Sequence, residues 1–191
     1  MYRPAIMAFF RVRLGANAAE DATQSFFAAS FEHVWWSRAD AGVGSFRSFL
    51  LMLLRRHVGH VRDSALVPID NTNDVTEIAD DAPDAARHFD SRFALLLTAH
   101  AIEAQRARYR ERERGDVFER LLPLLSAPPE HGELKSIAAG LHMPSNTLTV
   151  ELQRLRKRLR EEMRGQLEQL CADDATLAAE WAVLQRVLDG T

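Results

Sequence analysis

Residues 153–160 read QRLRKRLR and gather Arg154, Arg156, Lys157, Arg158 and Arg160 within a chain of 191 residues whose formal net charge is -3. Cations at this density suit an anionic polymer, because each Lys or Arg set against a phosphate releases condensed counterions and adds salt-dependent affinity. Just upstream, Ser145, Asn146, Thr149 and Gln153 carry the hydroxyl and amide groups that hydrogen-bond base edges. Leu148, Leu152, Leu155 and Leu159 recur at helical spacing beneath them, and Leu134, Ile137 and Ala138 form a shorter apolar face before a tight turn. The pattern predicts a helix-turn-helix whose second helix presents Ser145, Asn146, Thr149, Val150, Gln153 and Arg154 to bases. Arg156, Lys157, Arg158 and Arg160 would then lie against phosphates. The same stretch, taken alone, also suits an amphipathic surface helix whose bases pair with Glu151, Glu161 and Glu162.

Other chemistry finds less support in the residue pattern. His57 and His60 stand three apart, a spacing able to ligate metal, but no carboxylate or cysteine accompanies them locally. Cys171 is the single cysteine, so neither an internal disulfide nor a thiolate pair for zinc can form. Ser, His and Asp are present without a strained nucleophile turn, and no phosphate-binding or dinucleotide glycine fingerprint appears. The expectation is a non-enzyme with no catalytic residue, no metal and no cofactor.

The elements that must position the basic stretch read as all-α, since apolar residues recur at helical spacing and nowhere alternate with period two. Residues 1–14 form a first short helix, and Glu20 to Trp36 a second with Phe27, Phe31, Val34 and Trp35 on one side. Phe46, Phe49, Leu50, Leu53, Leu54, His57, Val58 and Val61 make one stripe, with Arg55, Gly59 and Arg62 off it. From Ala65 to Ala86 the periodicity is lost among prolines, asparagines and acids. Phe93, Leu96, Leu97, His100, Ala101 and Ala104 mark a long helix whose tail, RARYRERER, is too charged to be buried, with Gly115 ending it. Phe118, Leu121, Leu122 and Leu125 follow, then the helix-turn-helix, then a last helix with Leu177, Trp181, Leu184 and Leu188. Net charge is +3 over 45–63, -6 over 64–91 and +3 over 133–164. Two small helical domains, 1–63 and 87–191, joined by an acidic linker at 64–86, are therefore expected.

Two blocks in this order resemble the bacterial extracytoplasmic-function sigma factors of RNA polymerase. AAEDATQSFFAASFEHVWW with GVGSFRSFLLMLLRRHVGHVRD resembles their second conserved region, and FDSRFALLLTAHAIEAQRARYRERERGDVFERLLPLL leading into the helix-turn-helix resembles their fourth, a winged-helix-like fold. The resemblance implies a subunit that binds the clamp helices and flap of core RNA polymerase and directs it to promoter DNA. It places Glu20, Asp21, Thr23 and Gln24 on the polymerase-facing helix. It sets the loop Ser37 to Ser45 and Arg47, Arg55, Arg56, His60 and Arg62 against the melted -10 strand, and the helix-turn-helix on the -35 duplex. Trp35 and Trp36 would belong to the core or stack on a base.

The chain departs from that family pattern in places. The family's acidic DAED run reads Ala18, Ala19, Glu20, Asp21 here, so Ala18 stands where an acid is usual, and Ser25 replaces another acid after Gln24. His142 occupies the usual turn glycine, Pro144 the usual capping Ser or Thr, and Thr149 a commonly basic position. Phosphorylation of Thr23 or Ser25 by a Ser/Thr kinase would restore negative charge, so a kinase or an anti-sigma factor joins polymerase and promoter DNA among the expected partners. The longest apolar run, Phe49 to Leu54, is too short to span a bilayer and the first residues lack a cleavable leader, so no membrane insertion and a cytoplasmic location are expected. Two other classes fit the same residues: a homodimeric helix-turn-helix regulator independent of polymerase, and a sigma-like decoy that only binds protein.

Overall fold

The structure is a computed structural model that describes residues 2–32, 44–65, 82–127 and 129–190. Within them the chain is all-helical, and no strand is present. Seven helices follow in order: α1 (Arg3–Glu32), α2 (Phe46–Ala65), α3 (Ala82–Glu111), α4 (Gly115–Leu121), α5 (Glu133–Gly140), α6 (Ser145–Glu168) and α7 (Asp174–Asp189). A 3-10 turn, Leu122–Leu125, extends α4. Two compact units are formed, the first from Met1–Leu96 with Leu167–Thr191, the second from Leu97–Gln166. The sequence reading groups 87–191 as one domain; the structure instead assigns the start of α3 and all of α7 to the first unit.

In the first unit α1 is two helical segments, 3–14 and 16–32, divided at Gly15, whose φ of 82° and ψ of 167° no helical residue adopts. The expected division between two helices thus falls on the glycine. Ile6, Phe9 and Phe10 of the first segment, Ala19, Ala22 and Phe26 of the second, and Leu50, Leu54 and Val58 of α2 are buried together with Ala85, Phe89 and Phe93 of α3. Phe10 meets Phe26 at a centroid distance of 5.9 Å, edge to face, a geometry that adds to the burial of each ring. Phe26 takes the place expected for Phe31, which is 73% exposed, because the inward row runs through Ala19, Ala22, Phe26 and Ser30. Val34, Trp35, Trp36 and most of the loop before Ser45 lie outside the described residues.

The expected linker is shorter than 64–86 at its far end. Helix α3 starts at Ala82 and carries Pro83 in its first turn, where the missing N–H has no intrahelical partner to lose and Asp84 favours the positive end of the helix dipole. His100, expected inward, is exposed, while Tyr109, inside the tail expected to be too charged for burial, is buried, as is Gln105 just before that tail.

The second unit has its core in Tyr109, Val117, Phe118, Leu121, Leu124, Ala138, Leu148, Leu152 and Leu155. Helix α3 ends at Glu111, four residues before the expected Gly115: Glu113 takes a φ of 55°, its N–H bonds Arg110 O at 3.0 Å, and Arg114 N–H bonds Tyr109 O at 2.9 Å. This is a Schellman closure built on a non-glycine residue.

Candidate nucleic-acid interface

The short helix α5, a four-residue turn and the long helix α6 carry the predicted base- and phosphate-reading residues. The turn repeats the closure seen after α3. His142 N–H bonds Ala139 O at 3.2 Å, Met143 N–H bonds Ala138 O at 2.9 Å, and His142 sits at a φ of 51°. A left-handed residue is required there, and histidine holds it against a steric penalty that glycine does not meet. His142→Gly is expected to raise the unfolding free energy by about 1 kcal/mol, read as a shift of the urea midpoint without a change of slope. A lower midpoint would show that the imidazole contributes contacts of its own.

Pro144 precedes α6 and offers no side-chain oxygen to cap it; its carbonyl accepts Thr147 N–H at 3.0 Å and Leu148 N–H at 3.2 Å. Asn146 Oδ1 accepts from Thr147 N–H at 2.8 Å, so the amide oxygen beside the helix start is partly engaged. Thr149 Oγ1 donates back to Ser145 O at 3.0 Å. Ser145, Asn146 and Gln153 are exposed and Thr149 half-buried.

Helix geometry divides the five clustered bases. Leu148, Leu152 and Leu155 point to the core, and the opposite face carries Asn146, Val150, Gln153, Lys157, Arg160 and Arg164, with Arg154 at its edge. Arg154, Lys157, Arg160 and Arg164 are exposed. Arg154 and Arg160 have no ion-pair partner among the described residues, and Lys157 meets Glu161 at 3.7 Å on the solvent side. Arg156 and Arg158 stand on the flanks and turn inward. Arg156 Nη2 donates to Leu124 O at 2.7 Å, and Arg158 lies 3.7 Å from the buried carboxylate of Glu151. Arg156 and Arg158, expected as phosphate contacts, therefore hold α6 to its unit. Arg164 joins the exposed row and was legible as the next step of the 150, 153, 157, 160 spacing.

Glu151 anchors that arrangement from below. Its Oε1 accepts from Tyr109 Oη at 2.6 Å, and Arg114 lies 3.6 Å from its other oxygen. Burial first, then the Glu151 hydrogen bond and its charge, push the Tyr109 hydroxyl far above the usual phenol range, so it remains a donor. The N-terminal end of α6 is thus locked to the end of α3 by a buried, satisfied polar cluster, which fixes the rotation of the exposed row.

In the first unit, Arg55, Arg56 and His60 are exposed on one face of α2 with Met52 and Gly59. Arg62 is half-buried and donates to Arg13 O at 2.7 Å. Arg47, expected against DNA, lies on the opposite side of α2 and is bound to carboxylates. Its Nη1 donates to Asp90 at 2.7 Å, its Nη2 to Glu180 Oε1 at 3.1 Å and its Nε to Glu180 Oε2. Glu180 also accepts from Ser45 Oγ at 2.6 Å and Ser48 Oγ at 3.3 Å. Burial pushes Glu180 up, but the Arg47 and Ser45 hydrogen bonds and the Arg47 charge outweigh it and hold the carboxyl below its ordinary value. At Asp90 burial wins over Arg47 and the carboxyl is raised.

Of the four residues expected to face polymerase, Asp21 and Gln24 are exposed and Glu20 is half-buried and paired with Arg3. Thr23 is fully buried, its hydroxyl donating to Ala19 O at 2.6 Å, because it falls on the same inward row as Ala19 and Phe26. It presents no surface to a polymerase or a kinase in the folded protein. Ser25 is exposed, with Oγ 3.0 Å from His57 Nε2.

His57 is buried against the Phe10 and Phe26 rings, and burial, then the charge of His60, lowers its pKa against a bond with the Ala22 backbone that raises it. The unfolded chain then takes a proton more readily than the folded one. Stability is expected to be full above pH 6.5 and to fall as pH drops below it. Urea midpoints at pH 7.5 and 5.5 check this, and His57→Leu should flatten the difference; an unchanged difference assigns the loss to other groups.

Among the described residues no group of His, Cys, Asp and Glu is arranged to hold a metal ion, and no helix is long and apolar enough to cross a membrane. No family model, no curated protein and no solved structure matches the chain.

Proposed function

We propose that this chain is a DNA-binding transcription protein that reads duplex DNA with α6. The carrying observation is the exposed row Asn146, Gln153, Arg154, Lys157 and Arg160 on a helix whose other face is locked in a core, directly after a short helix and a tight turn. A helix held out from its bundle in this way fits the major groove, with hydroxyl and amide groups at its start for base edges and guanidinium groups beyond for phosphates.

More particularly, the function is that of an extracytoplasmic-function sigma factor acting in the cytoplasm with core RNA polymerase. This reading is supported by the resemblance of two sequence blocks in the right order and by a second basic face, Arg55 and Arg56 with His60 beside them on α2, suited to an opened strand. Asp21 and Gln24 remain on the surface available to polymerase. Ser145, Thr149 and Arg154 complete the -35 set, and Arg47 and Thr23 leave their expected roles.

Single-round transcription with core polymerase on genomic fragments tests the reading. Sequence-defined start sites that depend on the protein are expected. Polymerase binding without initiation would instead assign a decoy, and symmetric DNA binding without polymerase affinity a dimeric regulator.

A further inference from the structure

The first unit carries a groove of about 350 Å³ between the opening segment of α1 and the start of α3. Pro4, Met7, Ala8 and Val12 give it an apolar floor, and Arg11, His88 and Arg92 rim it. Among the described residues no carboxylate lines it. Three other arginines of this unit are engaged, Arg3 with Glu20, Arg47 with Asp90 and Glu180, and Arg62 with the Arg13 carbonyl, while Arg55 and Arg56 on α2 are exposed like Arg11 and Arg92. Arg11 and Arg92 are exposed and have no ion-pair partner among the described residues, while His88 reaches only Asp84 at 3.7 Å. A chain of net charge -3 therefore keeps two unpaired arginines and a histidine around an apolar floor.

We propose that this groove is a docking site for an acidic amphipathic helix of a partner protein, distinct from the DNA faces and independent of the function proposed above. The floor argues against a nucleic-acid backbone, which has no apolar face to set on Met7 and Val12. A helix with apolar anchors at i, i+3 or i+4 and i+7 places those side chains on the floor, and carboxylates flanking them meet Arg11 and Arg92. Charge complementarity on an apolar seat gives the partner its register as well as its encounter rate.

The test uses the full chain labelled with 13C at its methionine methyls, where Met7 reports the groove and exposed Met52 on α2 serves as control. The probes are a blocked helical peptide of Leu, Ala and Glu with leucines at i, i+3, i+4 and i+7, the same peptide with Lys for Glu, and a 12-mer of thymidine. Saturable movement of Met7 alone with the acidic peptide is expected, together with at least tenfold weaker binding to Arg11→Glu/Arg92→Glu, whose substituted side chains are exposed and leave the helical signal intact. Movement of Met7 with the oligonucleotide, or acidic-peptide binding unaffected by the charge reversal, overturns the proposal. So does a Met7 signal that shifts with salt in the free chain and resists peptide, which would assign the groove to the chain's own acidic stretch.

Discussion

Arg47→Ala is expected to lower the unfolding free energy of the first unit by about 3–5 kcal/mol, the largest single-residue effect anticipated here. The guanidinium is 13% exposed and its partners Asp90 and Glu180 are 16% and 7% exposed, so removing it leaves two carboxylates with little water and only the weaker pull of Arg186 on Asp90 as counter-charge. The cost lies in the orphaned acids more than in the lost attraction. Replacing all three together, as Arg47→Met/Asp90→Leu/Glu180→Leu, is accordingly expected to come out within about 1–2 kcal/mol of the parent, since no uncompensated charge then remains. Urea unfolding followed by circular dichroism distinguishes the two variants. A single-variant loss below about 1 kcal/mol would mean that the cluster is hydrated and the network behaves as a surface pair.

The same cluster carries a pH dependence of definite sign. Glu180 is held below its ordinary value, so its share of stability is present above the unfolded pKa and is lost as pH falls through the folded one. Asp90, raised by burial, works in the opposite direction, and its ionisation subtracts stability as pH rises through its folded value. Glu180→Gln should therefore remove the loss of stability on acidification below the carboxylate range while leaving the His57-linked loss nearer neutrality in place.

The second large effect concerns DNA. Arg154→Ala/Lys157→Ala/Arg160→Ala is expected to reduce the slope of log affinity against log salt by about 2.7, near 0.9 for each phosphate contact removed, and to weaken binding on the order of 10²-fold at physiological salt. Fluorescence anisotropy with duplex DNA from about 50 to about 300 mM salt measures both. Arg156→Ala is the paired control. Its guanidinium is committed to the Leu124 carbonyl, so its loss should leave the slope unchanged and cost about 1–3 kcal/mol of stability. Equal slope changes for Arg156 and Lys157 would show that the cluster acts as a diffuse charge without the orientation α6 gives it.

Helical character was legible throughout the sequence because an amphipathic helix writes its buried face locally, at every third or fourth residue. The stripe of α2, the leucine row of α6, the break at Gly15 and the special turn at His142 are properties of contiguous segments. They follow from periodicity and from which residues tolerate a positive φ. The closure of α3 falls on Glu113 and not on the expected Gly115 because glycine is only the commonest residue for it, and Gly115 instead begins α4.

Partner choice between distant residues was decided by the tertiary structure alone. A basic residue on a helix reads the same whether it faces solvent or a carboxylate brought from far along the chain. Arg47 meets Glu180 from 133 positions away, and Tyr109 meets Glu151 from 42, and neither pairing leaves a local trace. Phe31 and Phe26 differ in fate by the rotation of one helix, and Thr23 follows Phe26 inward. The sequence by itself determined that cations would concentrate on two helices and that an acidic stretch would separate them. Which of those cations remain on the surface was settled by long-range packing, because desolvating a guanidinium is tolerable only where an acid from another element reaches it.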